Sequence, residues 1–475
     1  VAEFDLAVVG AGAAGLSVTA VAAQLGLRVV LIERGRMGGD CLNAGCVPSK
    51  ALLAVAHAAM DARAAGRFGL RIAAPAIDWP AVQAHVQGVI AAIAPNDSAA
   101  RFTALGATVL AGPARFIGRN ALEVTLPDGP RRLTAGRIVI AAGSRAVLPD
   151  IPGLAAVAHV THERLFDLPE RPAHLLILGG GPVGLEMAQA HAGLGCRVTL
   201  IEAARIAGRE DLELADGLRA ALAGNGVGLL EGVPVIRAEP GPALLLADGR
   251  RIEGSHLLVA AGRRPNIEGL GLEAGLVRAG PAGIATDAGL RSLTNRRVYA
   301  AGDIADPRGI GPRAFTHVAS YHAGIVVRRA LFRLPARLDY AALPRVIYTD
   351  PELAQVGLTE AEARQAGHEV RLLRWPLAEN DRAQAERRPE GLVKLVTTRR
   401  GLVLGAGILA PHAGEMIGMW ALAIARRVPL ATLAGLILPY PTLAEAGKRA
   451  AGTFFLGRLF AAGTKRLVRL LALLP

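Results

Sequence analysis

The feature that most constrains the fold of this chain is a pattern written twice. Residues 4–33, FDLAVVGAGAAGLSVTAVAAQLGLRVVLIE, run from an apolar strand through a Gly-rich turn into an Ala-rich helix and a second strand that ends in an acid. In such a unit Gly10 permits the tight turn and Gly12 lets the backbone approach a pyrophosphate. Gly15 lets helix and strand pack closely, and Glu33 accepts from a ribose hydroxyl. Residues 174–202, HLLILGGGPVGLEMAQAHAGLGCRVTLIE, repeat the pattern with Gly179, Gly181, Gly184 and Glu202. The step from first glycine to acid is 23 residues in both copies (33 minus 10, 202 minus 179). Two homologous dinucleotide sites are the reading; one such motif alone would be weak.

Three cysteines occur in 475 residues, and Cys41 and Cys46 stand together in GGDCLNAGCVPSK, residues 38–50. A disulfide closing so short a loop constrains little chain, and a protein of 49.1 kDa buries an ample core without one. The pair is therefore read as redox-active. Residues five apart in one helix have Cα atoms about 8 Å apart, beyond the roughly 7 Å limit for a bridge. Cys41 is expected in irregular chain, with Cys46 and Pro48 opening a helix whose N-terminus favours a thiolate. Further ligands at zinc spacing are missing, so no metal site is expected. Cys196, just ahead of a strand, reads as a small core hydrophobe. Two dinucleotides and a dithiol in one chain point to a flavin that passes electrons from a nicotinamide to a disulfide.

Length allows about three domains of ~150 residues. With 57 glycines, 29 prolines and 4% aromatic residues, the composition is that of a loop-rich α/β protein with an aliphatic, Ala-rich core. The formal charge of +13 comes almost wholly from arginine, since only four of the 53 basic residues are lysine. No nucleic-acid motif or aromatic-interleaved basic stripe accompanies it, so scattered solvated arginines and sites for anionic cofactors are expected, and no nucleic-acid partner. The sequence enters a strand at once, without a signal segment. A redox pair without a disulfide framework fits a reducing, cytoplasmic setting.

Together these residues resemble the pyridine nucleotide-disulfide oxidoreductases, the flavoprotein family of dihydrolipoamide dehydrogenase, glutathione reductase and mercuric reductase. The resemblance spans nearly the whole chain. Its further motifs are IVIAAGS (138–144, with Gly143), LLVAAGRRPN (257–266, with Gly262), VYAAGDIAD (298–306, with Gly302 and Asp303) and PRVIYTDPELAQVGLTEAEA (344–363). It implies an α/β fold of two Rossmann-like domains, the second inserted in the first, with a C-terminal α+β dimerisation domain. The implied partition is an FAD domain at 1–150 and 270–335, an NAD(P) domain at 151–269, an interface domain at 336–450 and a tail at 451–475. By the same resemblance Asp303 bonds the ribityl chain of FAD, and Lys50 pairs with Glu186 near the reactive end of the flavin. Cys46 is the thiolate against the flavin, Cys41 is the exposed thiol that attacks substrate, and a homodimer shares each active site across its interface.

Thiol-disulfide members use a His in a His-Pro-Thr sequence as base. Here the stretch reads LPYPTLAE, with Tyr440 in the His position and Glu445 in the acid position. An ordinary phenol titrates near 10, an imidazole near 6.5, so efficient lipoamide or glutathione turnover is not expected. The Pro-Tyr-x-Thr context is instead similar to mercuric reductase. That enzyme's C-terminal cysteine pair is missing, since no cysteine follows Cys196, and its N-terminal metal-binding module is not expected either. The acceptor is then a small disulfide or a soft metal ion. The alternatives are a diaphorase or quinone-type reductase that uses FAD without the disulfide, or a dihydrolipoamide dehydrogenase-type activity.

Glu202 ends the second strand of the nicotinamide unit, where it accepts from a ribose 2′-hydroxyl and repels a 2′-phosphate. NADH is the expected coenzyme; Arg205 nearby keeps NADPH possible. In the tail, Leu467, Leu470, Leu471 and Leu474 share a helical face that excludes Lys465, Arg466 and Arg469. With Arg458, Gly457 and Gly463 the segment is too charged and broken to span a bilayer. It is expected either to pack on the protein's own dimer, the commoner fate of such a stripe, or to make a weak peripheral membrane contact.

Overall fold

The computed structural model describes residues 2–474. Its first sheet is made of continuous apolar runs, as parallel strands buried on both faces require. Phe4–Val9 lies between Val29–Glu33 and Gly129–Ile140, all parallel, with Val8 opposite both Leu31 and Val139. Thr108–Ala111 extends one edge. At the other, Val298–Ala300 pairs in parallel with Ile138–Ile140, so the chain returns to this sheet after a long excursion.

The excursion holds a second parallel sheet in the order Val227–Glu231, Arg197–Glu202, His174–Leu178, His256–Val259. In each sheet a central strand feeds a helix, Ala13–Gln24 in the first and Pro182–Gly193 in the second. Gly10 and Gly179 make the turns at φ +105° and +116°, and a Cβ on either would strike the carbonyl of Ala141 or Ala260. Only glycine turns the chain there. A third, antiparallel sheet orders Pro344–Ile347, Glu352–Gly357, Val403–Ala410, Leu392–Thr398 and Val370–Pro376. The helices Ala413–Ala425 and Glu445–Leu459 cover it through Ile417, Trp420, Ala450 and Phe454. The architecture is α/β, with two dinucleotide-type sheets and a C-terminal α+β unit.

These parts meet at the segment that carries Cys41 and Cys46. The helix Cys46–Ala64 packs on Pro182–Gly193, and a Cβ on Gly193 would stand 3.0 Å from the Met60 sulfur and 3.2 Å from the Ala56 Cβ. One apolar cluster then joins Leu52 and Leu53 to Met187 and Leu218 and to Ile347 and Leu353 of the antiparallel sheet. Cys196 lies buried in the same cluster, its thiol pushed up to about 11 by burial. A buried ammonium closes the other seam. Lys394, with a side chain 4% exposed, reaches Asp211 at 2.9 Å and Glu213 and Glu360 at 3.0 Å each.

The helix of the tail, Ala462–Leu471, buries no residue against the body of its own chain, and Leu474 falls beyond the helix end, so the expected stripe is shortened to Leu467, Leu470 and Leu471. Among the described residues no helix is long and apolar enough to cross a membrane.

Candidate active site

Cys41 lies in a short helix, Gly39–Asn43, not in irregular chain as expected. The distance argument holds only for one continuous helix. Here Ala44 and Gly45 leave helical geometry, at φ −149° and −116°, before Cys46 starts the next helix. The break lets the two thiols meet although both are helical. Pro48 sits in the first turn of the second helix, where its missing N–H costs nothing.

The two sulfurs share one proton unequally. Cys46 is lowered to about 6, first by a hydrogen bond from the Cys41 thiol; the Thr316 hydroxyl at 3.2 Å and the charge of Lys50 add to it, against burial. Cys41 is pushed up by its hydrogen bond to Cys46 and by burial. At neutral pH the reduced pair is thus a Cys46 thiolate beside a Cys41 thiol. Among protein atoms residue Cys46 is exposed and Cys41 half-buried. The Cys46 sulfur lies against Thr316, the first residue of the helix Thr316–Val326 that packs on the Ala13–Gln24 helix of the first dinucleotide-type unit. Thr316 carried no motif in the sequence and was missed.

One turn along, Lys50 donates to Glu186 at 2.7 Å. The Glu186 side chain is only 6% exposed, and its other oxygen accepts from the Tyr348 amide at 3.1 Å. The Lys50 ammonium also stands 4.3 Å from the centre of the Tyr348 ring. This is no solvated surface pair: it ties the redox helix, the Pro182–Gly193 helix and the antiparallel sheet at one point beside Cys46.

The two dinucleotide units are alike in atomic detail. Glu33 accepts from the amides of Ala11 at 2.6 Å and Gly35 at 2.7 Å. Glu202 accepts from the amides of Gly180 at 2.7 Å and Ala204 at 2.9 Å. Each carboxylate braces its Gly-rich turn, a role the motif alone did not show, and keeps lone pairs for a ribose. The first unit fits FAD: Gly12 opens a helix N-terminus, and a Cβ there would have no neighbour nearer than the Gly39 Cα at 4.0 Å. Gly15 and Gly184 pack directly on the carbonyls of Gly10 and Gly179. Gly181 has open space around it at the start of the second helix. Arg205, the residue that kept NADPH open, is paired with Asp216.

Asp303 follows Gly302 and accepts from the Ser144 hydroxyl at 2.6 Å, just after Gly143. Burial raises its carboxyl against that bond and the charge of Arg263. Arg263, next to Gly262, donates to Ser144 Oγ at 2.8 Å and reaches Asp40 at 2.9 Å; Asp40 also meets His162 at 3.2 Å. Asp40 precedes Cys41 directly, so this cluster fastens the short helix Gly39–Asn43 to the segments that carry Ser144, His162 and Arg263. Among the described residues no group of three or more His, Cys, Asp or Glu is placed to hold a metal ion.

Residues 4–324 match the family pattern of the pyridine nucleotide-disulphide oxidoreductases, and residues 343–451 match that family's dimerisation domain. The chain belongs to this family. It is 40% identical to the mercuric reductase of Streptomyces lividans over 95% of this chain and 96% of that one. It is 33% identical to the dihydrolipoyl dehydrogenase of Geobacillus stearothermophilus over 94% of this chain and 96% of that one. Among solved structures, the copper(II) complex of the HOCl-induced flavoprotein disulfide reductase RclA of Escherichia coli superposes with a TM-score of 0.84 at 26% identity, covering 95% of this chain and 100% of that one. Members of the family are enzymes that use FAD and NAD(P)H, and the dimerisation domain points to a homodimer.

Tyr440 is 68% exposed, and its hydroxyl donates to Asp381 Oδ2 at 2.7 Å. Glu445 opens the helix Glu445–Leu459, where its charge suits the helix N-terminus. The Tyr440 turn is strapped to the start of the helix Asp381–Ala385, for the Asn380 amide donates to the Thr442 carbonyl at 3.0 Å while its oxygen caps that helix.

Proposed function

We propose that this chain is an NADH-dependent reductase of the mercuric-reductase type, delivering two electrons through FAD and the Cys41–Cys46 pair to a soft metal ion. Bound in the first dinucleotide unit, FAD supplies the exchange between a two-electron hydride donor and a dithiol. The reading gives FAD to residues 1–150 and 270–335, the nicotinamide to 151–269 and the dimer interface to 336–450. For mercuric ion the balance is NADH + Hg²⁺ → NAD⁺ + H⁺ + Hg. The same pair would reduce a small disulfide by thiolate attack, cleaving its S–S bond and yielding two thiols.

The observation that carries the reading is the asymmetric dithiol, taken together with the phenol that stands in sequence where the resemblance puts the acid–base residue. Cys46 holds the charge, Cys41 holds the proton, and the residue in the acid–base position is Tyr440, kept protonated by Asp381. A protonated phenol is a poor base for the thiol that disulfide exchange must activate. A soft cation needs no such base, because a thiolate binds it directly and a thiol releases its proton to solvent as it becomes a ligand. The similarity to mercuric reductases and to a reductase whose solved structure is a copper(II) complex supports a metal-ion acceptor, and the similarity to dihydrolipoyl dehydrogenase supports the disulfide alternative.

The test is anaerobic NADH oxidation by FAD-loaded enzyme with mercuric ion, cupric ion, lipoamide and oxidised glutathione, in wild type and in Cys41→Ser and Cys46→Ser. Metal-dependent turnover lost in both variants is the expected result. Turnover of quinones or dyes alone, unchanged in both, would make the protein a diaphorase. In this reading the basic tail takes no part in the chemistry and is left for the peripheral membrane contact.

A further inference from the structure

We propose that the segment from Leu456 onward is a docking surface for an anionic lipid bilayer, which the enzyme's tail enters only to the depth of the headgroup boundary. The helix Glu445–Leu459 buries Ala446, Gly447, Ala450, Ala451 and Phe454 on the antiparallel sheet. Past Phe455 it leaves the body: Leu456, Leu459 and Phe460 are all exposed. The chain then turns a corner fixed by the Thr464 hydroxyl, which donates to the Arg458 carbonyl at 2.7 Å, and forms the helix Ala462–Leu471. With about 100° per residue, Leu467, Leu470 and Leu471 fall on one side and Lys465, Arg466 and Arg469 on the other. The family's dimerisation pattern ends at residue 451, so this surface lies beyond it.

Three occupants compete for it, and charge decides between them. Residues 456–475 contain four cations, at Arg458, Lys465, Arg466 and Arg469, and no Asp or Glu. A second copy laid on the same segment would bring cations against cations with no carboxylate to offset them. A nucleic acid would take the cations but leave the leucines in water. An anionic bilayer takes both, since headgroups neutralise the basic side while leucines enter the acyl boundary. A ten-residue helix is far too short to span, so the contact is peripheral. The inference does not depend on which acceptor the redox pair serves.

The test uses FAD-loaded full-length protein, a chain ending at Leu459, and an Arg466→Glu/Arg469→Glu variant. A cut at Ala451 would disturb the buried turn to Phe454, so the later end is used. Each is co-sedimented with vesicles of phosphatidylglycerol and phosphatidylcholine in equal parts, and of phosphatidylcholine alone. The full chain should pellet about tenfold more on the anionic vesicles, and less as salt is raised. Both variants should lose this while keeping NADH-to-dye turnover. Equal pelleting by the full and shortened chains, or none by either, overturns the proposal. So does retention by RNA without retention by vesicles, or conversion of the shortened chain to monomers in sedimentation velocity, which would assign the surface to a second copy.

Discussion

The Tyr440 hydroxyl donates to the Asp381 carboxylate across 2.7 Å, which raises the phenol above its ordinary value of 10.0. Glu445 adds to the rise and Arg449 opposes it. In the proposed mechanism Asp381 acts through Tyr440, as a positioning residue. Asp381→Asn should bring phenolate absorbance in at lower pH than in wild type, with Tyr440→Phe identifying the signal. The alkaline limb of metal-dependent turnover should move down with it, and Asp381→Glu should restore it. An unmoved phenolate titration in Asp381→Asn would remove Asp381 from this role.

The reduced dithiol sets the acid limb. Because Cys46 is depressed to about 6, its thiolate is present above that pH and lost as pH falls through it. Thiolate absorbance of the reduced enzyme should titrate near that value. In Cys41→Ser the largest cause of the depression is weakened, so the midpoint should rise toward the ordinary 9.0. A midpoint unchanged in Cys41→Ser would mean that Thr316 and Lys50 alone hold the charge.

Lys394 makes a stability prediction. Burial alone would depress its ammonium, but bonds to Asp211, Glu360 and Glu213 raise it above 10.5, so its contribution is full below that pH and fades as pH rises through the folded value. Glu213, chiefly through Arg374, is held below 4.5; Glu360, against burial, is also held below it by Lys394 and Arg364. Their contribution is present above that value and lost as pH falls through the lower folded one. Lys394→Ala should cost about 3–5 kcal/mol, as expected when a buried ion loses its partner. Urea midpoints of Lys394→Ala equal to wild type at neutral pH would contradict this.

Glu202 predicts coenzyme choice. Its carboxylate braces the turn at Gly180, and Arg205 is occupied by Asp216. Wild type should favour NADH in kcat/KM by about tenfold or more, some 1.4 kcal/mol, and Glu202→Ala should erase the preference while weakening both coenzymes. A tenfold advantage for NADPH in wild type would show that Glu202 does not face the 2′ position.

Much of this was legible in the sequence because backbone demands leave marks. Gly10 and Gly179 are glycines because a carbonyl fills the Cβ position, and Glu33 and Glu202 recur at one spacing because each holds the turn it follows. What escaped is tertiary. Thr316 reaches Cys46 across 270 positions of chain and Asp381 reaches Tyr440 across 59, and neither spacing has a period to read. Cys41 was misplaced because the helix break at Ala44 and Gly45 has no proline and only one glycine to announce it. The tail stripe was legible as amphipathic, but not that its own domain leaves it uncovered.

The central claim is that electrons pass through the Cys41–Cys46 pair. Anaerobic NADH titration of the FAD-loaded enzyme, followed by visible absorbance in wild type, Cys46→Ser and Cys41→Ser, tests it most directly. In wild type a long-wavelength band that titrates with the Cys46 thiolate should grow in before the flavin bleaches, and Cys46→Ser should bleach at once without that band. Immediate bleaching in wild type, with a course identical in all three proteins, would show that the dithiol lies outside the electron path.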